Sequence, residues 1–219
     1  MPAEHRLALL ALCLTTAGLA AGPAPARAAG AAPDKPAAFA PGGFCARAME
    51  AGGVRAKLCR ILSGLLVRME PVADRAAVRL GKGGGVYRDG ELVTITVDVP
   101  EDVERAYLNV VFLDEAGEVV HLLPNPNARD TEVRGGERVV LGDARDEGGD
   151  GGRELRAAPP HGQGMVLALF SPRPLEPVGR QETESMGGFL ASLQAALRGA
   201  SGEGDPVRFG STAVETRGR

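Results

Sequence analysis

The spacing of apolar residues divides this chain into a helical part and a β part. Val54, Leu58, Ile61, Leu62, Leu65, Leu66 and Met69 recur at three- and four-residue intervals, which predicts an amphipathic helix over 54–70 that Pro71 ends. A shorter helix over 44–51 precedes it, separated by Gly52-Gly53. From about residue 74 the period becomes two. Val93, Ile95, Val97 and Val99 alternate with Thr94, Thr96 and Asp98, a half-buried strand stopped by Pro100. Tyr107 to Leu113 is apolar on both faces, as a central strand would be. Asp114-Glu-Ala-Gly117 then predicts a hairpin turn, with Glu118 to Leu123 returning from it into the rigid loop Pro124-Asn-Pro-Asn.

Further strands are expected at Ala76–Leu80, 131–134, 137–141 and 154–157, with a long apolar one from Met165 to Phe170. Glu182 to Leu197 reads as a second helix, presenting Met186, Phe189, Leu190, Leu193 and Leu197 on one face. Val207 to Thr216 is expected to add an edge strand. The fold class is therefore mainly β: an antiparallel β-sandwich of immunoglobulin-like architecture, with an N-terminal helical hairpin and a C-terminal helix.

The first residues read as an address rather than as fold. A polar start with His5 and Arg6 leads into the apolar run Leu7-Ala-Leu-Leu-Ala-Leu-Cys-Leu, then Gly22-Pro-Ala-Pro and the small-x-small site Ala26-Arg27-Ala28. This is the layout of a secretory signal peptide, expected over 1–28 with cleavage after Ala28. The mature chain would then be periplasmic or secreted, with no transmembrane span. Residues 29–43, rich in Ala and Pro, read as a tether.

Export changes the meaning of the cysteines. Cys45 and Cys59 remain after cleavage, and an oxidising compartment favours their pairing. On one straight helix they would lie about 21 Å apart, beyond disulfide reach. A break at Gly52-Gly53 lets two antiparallel helices bring them together. Free buried thiols or a metal pair are the alternatives, although no His lies nearby to complete a zinc site.

The formal net charge of −3, with basic and acidic residues interspersed, gives no basic stripe and argues against a nucleic-acid partner. The mature chain would hold two histidines. His121 alternates with Val119 and Leu123, the pattern of a structural residue, and His161 follows Pro159-Pro160. No G-x-S-x-G, S-x-x-K or H-E-x-x-H motif occurs. Gly81-Lys-Gly-Gly-Gly85 lacks the G-K-[ST] ending of a phosphate loop and reads as a turn. Asp146–Glu154 matches some ligand positions of an EF-hand, but Gly148 and Ala157 stand where ligands belong; an acidic loop is the expectation, with calcium binding left open.

Three runs carry a family resemblance: Val86-Tyr-Arg-Asp-Gly-Glu91; Ala106 through Asn125, with its Tyr-Leu strand, Asp-x-x-Gly hairpin and Leu-Leu-Pro-Asn end; and Gly162 through Leu175, ending in Ser-Pro. Together they resemble the bacterial domain of unknown function 4384, over roughly residues 74–175. Members are found as single exported proteins and as modules beside kinase or caspase-like domains. The resemblance implies a fold and supplies no catalytic residues.

The expected organisation is a signal peptide over 1–28, a tether over 29–43 and a cysteine-bearing helical hairpin over 44–70. The β-sandwich follows over 74–175, and a C-terminal helix and tail occupy 176–219. The expected function is that of an exported, non-catalytic β-sandwich that needs no cofactor or metal and binds a protein or envelope partner. Its candidate recognition loop is His121, Pro124, Asn125 and Asn127, because loops on a rigid β scaffold carry recognition. A small-ligand or ion-binding periplasmic protein is the alternative, and a hydrolase without a known signature a more distant one.

Overall fold

A computed structural model describes residues 42–72, 77–143, 153–175, 182–200 and 206–218. The expected signal peptide and nearly all of the tether lie outside them, as do 146–152 of the acidic loop.

The helical hairpin forms as its glycines require. Helix α1 (Gly42–Ala51) and helix α2 (Gly53–Leu66) meet at Gly52 and Gly53, whose φ values of 73° and 74° lie in the left-handed region. Reversing the chain there brings Cys45 and Cys59 to a Cα–Cα distance of 5.6 Å, and the two are joined in a disulfide. Helix α2 stops at Leu66 rather than near residue 70. The bonds Arg68 N to Leu65 O and Met69 N to Leu66 O tighten its end into a turn, and Glu70 then donates to Val207 O, so that residue belongs to a sheet.

The strands are β1 (Glu70–Pro71), β2 (Val78–Leu80), β3 (Val86–Arg88), β4 (Ile95–Asp98), β5 (Arg105–Leu113), β6 (Glu118–Leu123), β7 (Glu132–Arg134), β8 (Arg138–Leu141), β9 (Gln163–Ser171), β10 (Thr183–Ser185) and β11 (Arg208–Arg217). The larger sheet has the order β1-β11-β9-β5-β6-β10, with β3 also pairing β11 and β7 also pairing β5. The smaller sheet is β2-β4-β8. Residues 154–157 contribute only isolated bridges, Gly142 to Glu154 and Leu92 to Arg156.

The face that each side chain takes follows from the period of two. Val166, Ala168 and Phe170 of β9 pack with Leu108 and Val110 of β5 against Val78, Ile95, Val97, Val139 and Leu141 of the smaller sheet. Their neighbours Met165, Leu167 and Leu169 point the other way, into a second core with α1, α2 and helix α3 (Met186–Ala200). The molecule is mainly β with two facing sheets, and the helices form a third layer over the outer face of the larger one. That is why β9 is apolar on both faces.

Two expected elements differ. The C-terminal strand β11 is interior: it pairs β9 in antiparallel register from Arg208 to Glu215, and β1 and β3 in parallel on its other side. The sequence predicts an edge strand over Val207 to Thr216, and its partners on both sides are distant in sequence. Gly210 is small for a packing reason, since a Cβ there would sit 3.1 Å from Val78 Cγ2. The second helix starts at Met186, not Glu182, because Thr183–Ser185 pairs β6. Ser185 Oγ then accepts the Gly188 N–H as the helix N-cap.

Candidate binding surface

The residues expected to form a recognition loop divide into supports and an exposed remainder. Asn125 is 2% exposed and builds the loop from inside. Its Nδ2 donates to Leu122 O at 2.7 Å, while its Oδ1 accepts from Asn127 N at 2.8 Å and Ala128 N at 2.9 Å. Pro124, after a cis peptide bond, is half-buried, and Asn127 is exposed.

His121 is fully buried, facing α3 rather than solvent. Its Nε2 donates to Glu184 Oε1 at 2.8 Å, its ring meets Phe189 edge-on, and its Nδ1 has no hydrogen-bond partner among the described residues. A recognition contact through the His121 side chain is thereby excluded in this conformation. Glu184 lies 63 residues away in sequence, and nothing in the local pattern of His121 points to it.

The other candidate groups are also placed. His161 Nε2 lies 3.7 Å from Asp89. The glycine run 81–85 is the turn between β2 and β3: Lys82 N donates to the buried Tyr87 hydroxyl, and a Cβ at Gly85 would sit 2.8 Å from Ala213 O. At the end of the acidic loop, Arg153 pairs with Glu182 and Arg156 with Glu154.

A different surface brings charged side chains together. Two hollows of about 560 and 830 Å³ are both lined by Asp102 and Arg208. The scaffold is rigid: β11 supplies Arg208, the Pro100–Val103 turn supplies Asp102, and the Gly135-Gly136 turn backs it. A Cβ on Gly135 would strike the carbonyl oxygens of Glu101 and Val103, so only glycine lets these two turns approach so closely. Arg208 Nη1 donates to both oxygens of Asp102, at 2.9 and 2.8 Å, and its Nε lies 3.6 Å from Glu70. Those bonds hold the Asp102 carboxyl below its ordinary range, more than offsetting the smaller opposing effect of desolvation.

On the outer face of the smaller sheet, Asp98 sits directly opposite Arg138 and diagonal to Arg79, and pairs with both. Partial burial alone would raise the Asp98 carboxyl. The hydrogen bonds from Arg138 and Arg79 outweigh it and hold the group below its ordinary value.

Alternation within β2, β4 and β8 turns Arg79, Asp98 and Arg138 outward, and the pairing of those strands sets them side by side. Arg208 and Asp102 are 106 residues apart and carry no local signal. Chemically, the surface is a polar groove whose central guanidinium is already forked onto a carboxylate. Asp102 is well exposed and Arg208 is not, so an incoming carboxylate has access to displace Asp102 from a cation that stays in place.

Residues 86–174 match the family described as Domain of unknown function (DUF4384). The match runs from β3 to β9 and bears out the resemblance drawn from the turn and strand motifs. The matched segment supplies Asp98, Asp102 and Arg138 to the groove; Glu70, Arg79 and Arg208 lie outside it. No curated protein matches the chain.

Proposed function

We propose that this is an exported, non-catalytic module that binds a protein or another component of the cell envelope, with the Arg208 groove as its contact surface. The observation that carries this reading is the Arg208–Asp102 pair, common to two open hollows and mounted on a rigid scaffold. A groove of mixed charge suits a polar partner surface that presents carboxylates, and charge complementarity at such a surface governs specificity and association rate.

The state of the histidines supports binding over acid–base chemistry. A base must address a nucleophile with one nitrogen while a third group orients it through the other. His121 has a carboxylate partner in Glu184 but lies fully buried beneath Phe189, so its ring is not presented to a substrate from solvent.

The test is crosslinking in cells with the full-length chain, comparing wild type with Arg208→Glu. A partner captured by the wild type and lost in the variant, with the variant still folded by circular dichroism at the crosslinking temperature, is the expected result. Equal capture by both would overturn the assignment of the groove. The export reading has its own readout: the purified protein should begin at Ala29, and recovery of the intact N-terminus from the cytoplasm would refute it.

A further inference from the structure

The core uses only part of the amphipathic pattern of the hairpin. Leu62, Leu65, Leu66 and Met69 are buried, but Val54 and Ile61, which belong to the same sequence stripe, are exposed. Of the five large hydrophobic side chains exposed among the described residues, four lie on the hairpin or the residue that ends it: Met49, Val54, Ile61 and Val67. Val54 is 72% exposed and Val67 82%. With about 3.6 residues per turn, Lys57, Arg60, Ile61 and Val67 fall on the side of α2 away from its buried Cys59, Leu62 and Leu66.

Charge on this face is of one sign. From Gly42 to Met69 the only acidic residue is Glu50. Lys57, Arg60 and Arg68 are exposed and form no ion pair among the described residues, unlike the arginines of the groove. Arg47 and Arg55 stand apart from this set, because they share a wall with Asp114 and Glu115. Helix α3 packs against α2, and its one charged residue is Arg198, so it brings no carboxylate to the face.

We propose that this face of the hairpin docks on an anionic lipid surface, with Ile61 and Val67 in the boundary between headgroups and acyl chains and Lys57, Arg60 and Arg68 among the phosphates. Aliphatic side chains gain by leaving water for that boundary, while the stem of a Lys or Arg follows them and keeps its charge at headgroup level. Charge complementarity selects the anionic lipid, because these cations have no carboxylate partner in the fold. An acidic protein would engage the cations and leave the aliphatic side chains in water. A second copy docked face to face would set the cations against their own equivalents. No helix among the described residues is long and apolar enough to cross a membrane, so the contact of α2 is peripheral. The surface shares no residue with the Arg208 groove, and the proposal does not depend on that groove binding a partner.

The chain contains no Trp, so one substitution supplies a sole fluorophore. Val67→Trp reports from the hairpin and Leu92→Trp from an exposed apolar site outside it. The full-length chain is titrated with vesicles of phosphatidylethanolamine and phosphatidylglycerol whose acyl chains carry bromine as quencher, and with brominated phosphatidylcholine vesicles for comparison. Val67→Trp should shift to the blue and be quenched on the anionic vesicles and not on phosphatidylcholine, and Leu92→Trp should do neither. Adding Lys57→Gln and Arg60→Gln to Val67→Trp should weaken binding on the order of twentyfold, and added salt should weaken it further. Binding that leaves Val67→Trp unquenched would overturn the proposal, because another segment, such as the apolar run Leu7–Leu14, would then hold the chain. So would quenching of both positions alike, or a dimeric mass with Val67→Trp already blue-shifted before lipid is added, which puts a second copy on this face. Where Val67→Trp folds poorly, Ile61→Trp takes the same reading from α2.

Discussion

At the scale of single residues, the buried polar groups support the structure and the exposed ion pairs shape the surface. Among the described residues, Glu184 is the only hydrogen-bond partner of the buried His121 ring. Glu184→Ala would leave that ring with both nitrogens unpaired, which costs about 2 kcal/mol, whereas Glu184→Gln keeps an accepting oxygen and should lose less. Urea unfolding of the two variants checks the order; equal losses would mean that the hydrogen bond contributes nothing. Asp98 gives a pH signature. Its carboxyl titrates below its ordinary value near 3.8 when folded, so its stabilising contribution is complete above that pH and is lost as pH falls through the lower folded value. Melting temperatures from pH 5 downward should therefore fall less steeply in Asp98→Asn than in the wild type.

At the scale of elements, two short features set where helices begin and how they are tied. Ser185 ends β10 and caps α3, so Ser185→Ala should cost about 1 kcal/mol while leaving the β10–β6 pairing in place. A loss below a few tenths would mean that the cap is dispensable. The Cys45–Cys59 bridge closes a 14-residue separation, for which chain entropy predicts about 3 kcal/mol. Replacing both cysteines by serine should lower unfolding stability by that order, measured on oxidised wild type and variant together. Local pattern was a good guide to both helices of the hairpin, because 3.6-residue periodicity and a glycine break are local properties. It overextended α3 at its start and α2 at its end. In both places the backbone groups are claimed by strands distant in sequence: β6 takes Thr183–Ser185, and Val207 takes Glu70.

At the scale of the whole molecule, the larger sheet needs cover on both faces. Residues 74–175 contain most of the two sheets, but none of the helices among the described residues and not β11. Expressed alone, that segment would leave Met165, Leu167 and Leu169 without the layer that buries them, and β9 without its neighbour. It should therefore show no cooperative thermal unfolding, whereas the chain from residue 42 onward should. A cooperative transition in the short segment would mean that the smaller sheet suffices to stabilise it.

What the amino-acid order determined by itself is local. It set the glycine break that reverses the hairpin, the alternation of Thr94, Thr96 and Asp98 with the apolar residues of β4, the Asp114–Gly117 turn, and the turn and strand motifs that carry the family resemblance. Each depends on backbone preference or side-chain alternation within a few residues. Tertiary structure alone decided the partners. It placed β11 inside the sheet, Glu184 against His121 and Arg208 on Asp102. Those contacts join residues tens to more than a hundred positions apart. Their energy arises only when the layers close and exclude water, and no short window of sequence contains that event.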